Sequence, residues 1–61
     1  MSKLKKIRKE KDLTLRQLSK LSDVAAGYIS DLENGRRKNP SFETMQKLSK
    51  ALNKTVQDIF F

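Results

Sequence analysis

Residues 14–35, TLRQLSKLSDVAAGYISDLENG, decide the fold of this 61-residue chain. In the first half, leucines recur every three residues behind Thr14, which is spaced to form a capping box with a glutamine three residues later. In the second half, Ile29 and Leu32 mark one apolar face, and Gly35 follows as a left-handed terminator. Asp23 lies between the halves, and aspartate tolerates a left-handed backbone. The stretch therefore predicts two short helices joined by a tight turn.

Further helices are predicted on both sides of this stretch. Leu4 and Ile7 give the first helix a narrow apolar stripe, Ser41 caps a fourth helix, and Thr55 opens a fifth. The apolar residues expected in the core are Leu4, Ile7, Leu13, Leu18, Leu21, Val24, Ile29, Leu32, Phe42, Met45, Leu48, Leu52, Val56, Ile59 and Phe60. The pattern predicts an all-α fold, a compact five-helix bundle formed by a single domain over residues 1–61.

Charge is the strongest signal in the composition. The chain has 14 Lys and Arg against 7 Asp and Glu, a net charge of +7, which indicates a polyanionic partner. The central stretch carries a net charge of −1, whereas residues 36–41 carry +3, so the cations flank the two central helices. Attraction of an anion would therefore come from the flanks.

Several functional classes are disfavoured by what the sequence lacks. It has no cysteine and no histidine, which excludes disulfides and the usual zinc ligands, and it offers no nucleophile with a paired base. No apolar run approaches the roughly 20 residues that span a bilayer, and no signal-peptide pattern is visible. We therefore expect a cytoplasmic protein that is not an enzyme and that needs no cofactor, metal or membrane.

The residue pattern resembles the phage Cro and repressor type of helix-turn-helix domain, also called the xenobiotic-response-element type. The residues that carry the resemblance, over nearly the whole chain, are Leu13-Thr14, Leu18, Val24, Tyr28-Ile29-Ser30, Leu32-Glu33, Gly35, Asn39-Pro40-Ser41, Thr44, Lys47-Leu48 and Ala51-Leu52. The resemblance implies a lambda-repressor-like fold with the helix-turn-helix in helices two and three. It also implies that the third helix enters the major groove of DNA, usually as part of a dimer on a two-fold operator, and that Glu33 pairs with Arg8.

Carried over position by position, the resemblance implies two sets of DNA contacts. The residues facing base edges are Ala26, Gly27, Ser30 and Asp31. The residues contacting phosphates are Thr14, Arg16, Gln17, Asn34, Arg36, Arg37 and Lys38. The hydroxyl of Tyr28 is a further candidate phosphate donor while the ring packs against the bundle, and the alternative is that Tyr28 only packs in the core.

The first two residues of the base-facing set, Ala26 and Gly27, offer no group that makes a two-bond contact with a base. Arginine for guanine and glutamine for adenine are the common choices, and neither Ala26 nor Gly27 offers such a group. Selectivity would then depend on Ser30, on Asp31, on thymine-methyl contacts or on DNA shape. For Asp31 two interpretations stay open: it accepts a hydrogen bond from the cytosine amino group, or it is an ordinary surface aspartate.

These patterns predict sequence-selective binding of double-stranded DNA by a small transcriptional repressor of prophage or mobile-element type, acting by operator occupancy. The alternative is an antitoxin or other protein-interaction module that binds DNA only secondarily. RNA binding is disfavoured because stacked surface aromatics are missing. Because Phe61 has no place in the apolar stripes, we expect a homodimer formed through the C-terminal end, by Val56, Phe60 and Phe61.

Overall fold

The computed structural model describes residues 3–61, so Met1 and Ser2 of the predicted 1–61 domain lie outside the described residues. Within that range the helices are α1 (Leu4–Glu10), α2 (Leu15–Ser22), α3 (Ala26–Glu33), α4 (Phe42–Ala51) and α5 (Val56–Phe60). Their Cα atoms have a radius of gyration of 9.9 Å and extents of 23 × 22 × 19 Å. The predicted all-α, five-helix architecture is confirmed.

Side-chain caps set the beginnings of three helices. Thr14 Oγ1 accepts from the backbone N–H of Gln17 at 3.0 Å, and Gln17 Oε1 accepts from the backbone N–H of Thr14 at 2.8 Å. Thr55 and Asp58 make the same reciprocal pair at 3.0 and 3.1 Å. Ser41 caps α4 through its hydroxyl. Each cap satisfies N–H groups that a helix leaves unpaired at its first turn, which fixes where that helix begins.

The ends of the first four helices are each followed by a residue with a left-handed backbone. Asp23, at the C-cap of α2, has φ 62°, as its position in the turn predicts, and Gly35 has φ 77°. Asp12 and Asn53 have φ 56° and follow α1 and α4. A left-handed residue lets the chain leave the helix while its N–H still reaches a helical carbonyl. These four residues keep the connections short.

The core lies where the helices meet. Its buried apolar residues, all among those predicted, are Leu4, Ile7, Leu18, Val24, Ile29, Leu32, Leu48, Leu52 and Ile59. α2 packs on α3 and α4, while α5 packs on α4 and α1. Because α2 and α3 contribute to the same core, the angle between them is fixed by packing.

The prediction that Leu21 is buried is wrong. Its side chain is 61% exposed, and the next residue, Ser22, is buried at 5%. Successive residues on a helix are about 100° apart, and the inward side of α2 runs through Leu18 and Ser22, which are four residues apart. The Ser22 hydroxyl accepts from the backbone N–H of Val24 at 3.2 Å. This hydrogen bond to the backbone of the turn allows a serine to be buried at this position.

The prediction that Phe42 is buried is also wrong. Phe42 is 60% exposed because it is the first residue of α4 and lies about 120° around the helix from the fully buried Leu48. Other residues predicted in the core are only half-buried: Leu13, Met45, Val56 and Phe60. The core is therefore smaller than the apolar pattern predicts.

One ion pair lies at the core boundary between α1 and α3. The Nε and Nη2 groups of Arg8 donate to the two carboxylate oxygens of Glu33 at 2.6 and 3.0 Å, and Nη1 donates to the backbone oxygen of Leu13 at 2.6 Å. The side chains are only 9% and 3% exposed. The hydrogen bonds to Glu33 raise the pKa of Arg8, against the opposite effect of burial. The pairing implied by the resemblance is present and ties α3 to α1.

Candidate nucleic-acid interface

α3 is held against the core by one side only. Ile29 is fully buried and Leu32 is 8% exposed, and they lie on the side of α3 that faces the other helices. The preceding turn is fixed by Val24, also buried, and by the left-handed Asp23. The opposite side of α3 is therefore presented in a fixed orientation at the surface.

The outward side of α3 carries the four residues predicted to face bases. Gly27 is exposed, while Ala26, Ser30 and Asp31 are half-buried. A Cβ built on Gly27 would meet no atom within 4 Å, so packing within the protein does not require a glycine there. Glycine weakens a helix interior by about 1 kcal/mol relative to alanine. The helix therefore carries a destabilising residue where it leaves open space for another molecule.

The beginning of α3 has no side-chain cap. Its N-cap residue, Ala25, has φ −57° and ψ 137° and no polar side chain. This distinguishes α3 from α2, α4 and α5, whose N-cap hydroxyls each accept a backbone hydrogen bond.

The end of α3 is covered by side-chain and backbone hydrogen bonds. Asn34 Nδ2 donates to the backbone oxygen of Ser30 at 2.9 Å and to its hydroxyl at 3.2 Å. The backbone oxygen of Asp31 accepts from the backbone N–H groups of Arg36 and Arg37 at 2.9 and 3.2 Å. The basic loop that follows α3 is therefore folded back against the helix.

Side chains in this loop extend the same contact. Arg36 Nε donates to Asp31 Oδ1 at 2.9 Å, and Arg37 Nε lies 3.9 Å from Asp31 Oδ2. The guanidinium carbon of Arg37 also lies 5.0 Å from the ring centre of Tyr28, within the range of a cation–π interaction. The half-buried Asp31 and Tyr28 and the exposed Arg36 and Arg37 form one group at the end of α3, which we call the arginine cluster. The sequence did not predict it, because Asp31 and Arg36 are five residues apart across a helix end.

Both interpretations of Tyr28 place its ring against the core. Its ring is half-buried and packs against the core, on the flank of α3 beside Ile29. The same ring lies beneath Arg37. Tyr28 thus links the core to the arginine cluster.

The remaining predicted phosphate contacts lie at the beginning of α2 and in the loop. Thr14, Arg16 and Gln17 are exposed, and the side chains of Thr14 and Gln17 are used in the capping box. Lys38 is exposed in the loop.

Residues 3–61 contain no group of three or more histidine, cysteine, aspartate or glutamate side chains that could hold a metal ion. Within the same residues, no helix is both long and apolar enough to cross a membrane.

These features define a small helical domain that presents one exposed helix beside a basic loop. The chain matches the helix-turn-helix family over residues 4–59 and belongs to that family, in its Cro and repressor type. The resemblance seen in the sequence is confirmed.

Three relatives illustrate the membership. The chain is 39% identical over 57 residues to the HTH-type transcriptional regulator DdrOP3 of Deinococcus deserti, an alignment that covers 93% of this chain and 43% of that protein. It is 40% identical over 60 residues to the control protein C.MunI of a Mycoplasma species, covering 97% and 80% of the two chains. It is 37% identical over 57 residues to the immunity repressor protein of Bacillus phage phi105, covering 93% and 39%. The chain thus spans less than half the length of two of these relatives.

Proposed function

We propose that this domain binds double-stranded DNA sequence-selectively and acts as a transcriptional repressor of prophage or mobile-element type by occupying an operator. The observation that carries the proposal is the placement of α3, whose inner side is anchored by the fully buried Ile29 while its outer side is open. Relatives named as transcriptional regulators and as a phage immunity repressor support it. The function needs no catalysis, cofactor or metal, and it places the protein in the cytoplasm.

The charge distribution supports docking through the outer side of α3. The net charge is +7, and Arg36, Arg37 and Lys38 are all exposed directly beyond α3. Cations that neutralise phosphates release counterions, so affinity for DNA should fall as salt rises. In this arrangement α3 enters the major groove, and the basic loop lies along the adjacent phosphates.

The two sets of contacts have different consequences. Ala26, Gly27, Ser30 and Asp31 lie where base edges would be, so changes there should alter the preference among sequences. The residues assigned to phosphates should contribute affinity that is nearly independent of the DNA sequence. These residues are Thr14, Arg16, Gln17, Tyr28, Asn34, Arg36, Arg37 and Lys38. The second set comes from the beginning of α2, from α3 itself and from the loop beyond α3.

Selection of bound duplexes from a random pool tests the proposal. We expect one enriched site, and we expect fluorescence anisotropy to show tighter binding to that duplex than to a scrambled duplex or to its single strands. Equal binding to all duplexes, or preference for single strands, would contradict the proposal. A partner protein that co-purifies in stoichiometric amount and is needed for any DNA binding would favour the antitoxin alternative.

The C-terminal end is our proposed homodimer surface. Phe61 is 82% exposed, and Val56 and Phe60, at the two ends of α5, are half-buried. A second copy would cover this apolar side chain and place two α3 helices on a two-fold operator. The selected site should then be palindromic.

Sedimentation of the chain, free and on the selected duplex, tests this part. We expect a dimer that Phe61→Ser weakens, while Phe42→Ser, a matched change at another exposed phenylalanine, leaves it intact. A monomer at high micromolar concentration both free and on DNA would overturn the dimer, though not DNA binding itself.

A further inference from the structure

The arginine cluster contains a hydrogen bond between Arg36 and Asp31 that the proposed function does not yet explain. Asp31 lies two residues after Ile29, which places it about 160° around α3 from that buried residue, so its carboxylate belongs to the outward side. Arg36 donates its Nε to that carboxylate at 2.9 Å. The guanidinium of Arg36 is thereby brought from the loop to the side of α3 that faces away from the core.

Arg36 is fixed at both its backbone and its side chain. The backbone oxygen of Asp31 accepts from the N–H of Arg36 at 2.9 Å, and the Asp31 carboxylate accepts from its Nε at the same distance. The first contact anchors the backbone of Arg36 at the end of α3, and the second restricts its long, flexible side chain. An arginine held in this way loses less conformational freedom when it binds a partner.

The contact also determines which groups of Arg36 remain available. Of the side-chain nitrogens of Arg36, only Nε donates a hydrogen bond within residues 3–61, and the side chain is 63% exposed. The two terminal nitrogens, Nη1 and Nη2, carry four N–H groups in a planar fork. Such a fork matches the O6 and N7 acceptors that guanine shows in the major groove.

Arg37 is held differently. Its Nε lies 3.9 Å from Asp31, a longer separation than that of Arg36, and its guanidinium lies over the ring of Tyr28. Tyr28 lies on the flank of α3, about 100° from Ile29, so Arg37 is drawn toward the side of the helix. Of the two arginines, Arg36 is the one that a hydrogen bond holds to the outward side.

We propose that Arg36 contacts a guanine in the major groove and that Asp31 is its positioning residue, so the pair supplies the two-bond base contact that Ala26 and Gly27 do not offer. This inference rests on the proposed DNA-binding function and moves Arg36 from the phosphate contacts to the base contacts. It also gives Asp31 a role other than accepting from a cytosine amino group.

Arg36→Lys is the decisive variant, because it keeps the charge and removes the fork. The selected duplex is compared with duplexes that carry adenine in place of each guanine in turn, by anisotropy titration. For the wild type we expect one guanine whose replacement weakens binding about ten-fold or more. In Arg36→Lys that preference should fall to about two-fold or less, while the dependence of affinity on salt stays unchanged.

Asp31→Asn and Arg37→Lys complete the experiment. Asp31→Asn should reduce the same guanine preference, because Arg36 loses its charged partner, and it should do so without lowering the thermal midpoint of unfolding. Arg37→Lys, the matched control, should keep the preference. An Arg36→Lys variant that retains the preference overturns the inference, and if Asp31→Asn then abolishes it, Asp31 contacts the base itself.

The failure of this inference can be distinguished from the failure of the proposed function. If the wild type selects a site, and Arg36→Lys weakens binding to all duplexes by the same factor, only the role of Arg36 is overturned. A wild-type protein without any preference among duplexes would overturn both.

Discussion

Two of the arginine–carboxylate pairs on α3, Arg8 with Glu33 and Arg36 with Asp31, differ in how far they are shielded from water. In the pair of Arg8 and Glu33 the side chains are 9% and 3% exposed, and three hydrogen bonds satisfy the arginine. In the pair of Arg36 and Asp31 they are 63% and 35% exposed, and one hydrogen bond joins them. The same chemistry therefore serves two purposes, which are to hold α3 in place and to arrange donors at its surface.

This difference follows from desolvation. A buried charge that loses its partner stays poorly solvated, so each member of a buried pair depends on the other. An exposed charge that loses its partner is solvated by water, and the pair itself adds little stability. The buried pair should therefore control folding, and the exposed pair should control binding.

The largest effect is expected when the buried pair is broken. Glu33→Ala should lower the free energy of unfolding by about 3–5 kcal/mol, because it leaves Arg8 charged and unpaired at the core boundary. Urea unfolding followed by circular dichroism measures this loss. A domain of this size has a small core, so the variant should be largely unfolded at ambient temperature.

A double variant controls for the change in volume and charge. Arg8→Met combined with Glu33→Leu removes both charges and should be more stable than Glu33→Ala alone. If Glu33→Ala lost less than about 1 kcal/mol, the pair would behave like an exposed one and the contrast would be wrong.

The next effect concerns the open side of α3. Gly27→Ala should raise the free energy of unfolding by about 1 kcal/mol, because alanine favours a helix and its Cβ meets no atom within 4 Å. The same change should weaken binding to the selected duplex if DNA approaches this position closely. A variant that is more stable and binds DNA as well as the wild type would show that Gly27 does not lie at the interface.

A smaller change in stability is expected at the exposed pair. Asp31→Ala should alter the free energy of unfolding by about 0–1 kcal/mol, since an exposed pair contributes little. Thermal unfolding measures this, with Arg36→Ala as the matched change in the partner. A loss above about 2 kcal/mol in either variant would mean that the pair holds the loop and α3 together, which would remove the contrast with the buried pair.

The smallest effect is expected at Asp58, a carboxylate whose partners are hydrogen-bond donors. The backbone N–H of Thr55, followed by its hydroxyl, lowers the pKa of Asp58 below the ordinary value of 3.8. A lowered folded-state pKa adds stability above the ordinary value, and this is lost as the pH falls through the folded value. Wild type should therefore exceed Asp58→Asn in thermal midpoint at pH 7, and the gap should close in strong acid. A constant gap would contradict this assignment.

The sequence predicted most of the fold because the deciding signals are local. The Thr14 capping box, the helix start at Thr55, the left-handed Asp23 and the core positions such as Ile29 depend on neighbours within a few residues, and the structure contains them as predicted. The burial of Leu21 was predicted wrongly because it depends on contacts between helices. The packing of α2 on α3 and α4 determines which side of α2 is buried. Apolar spacing alone does not contain that information.

The candidate site was less predictable. The outward position of Gly27 and Ser30 follows from helical periodicity, whereas the pairing of Asp31 with Arg36 depends on how the loop turns back after Gly35. That path is set by backbone hydrogen bonds across the helix end, which residue types alone do not reveal. The assignment of individual residues to bases or phosphates stays a prediction.

The most direct test of the central claim, that the outward side of α3 enters the major groove, is a set of intermolecular nuclear Overhauser effects. Isotope-labelled protein would be bound to the selected duplex, and contacts from the Ala26 methyl group and from Ser30 would be recorded. We predict contacts from both residues to major-groove protons of the bases. Contacts to DNA from α1 or α5 with none from α3 would contradict the claim.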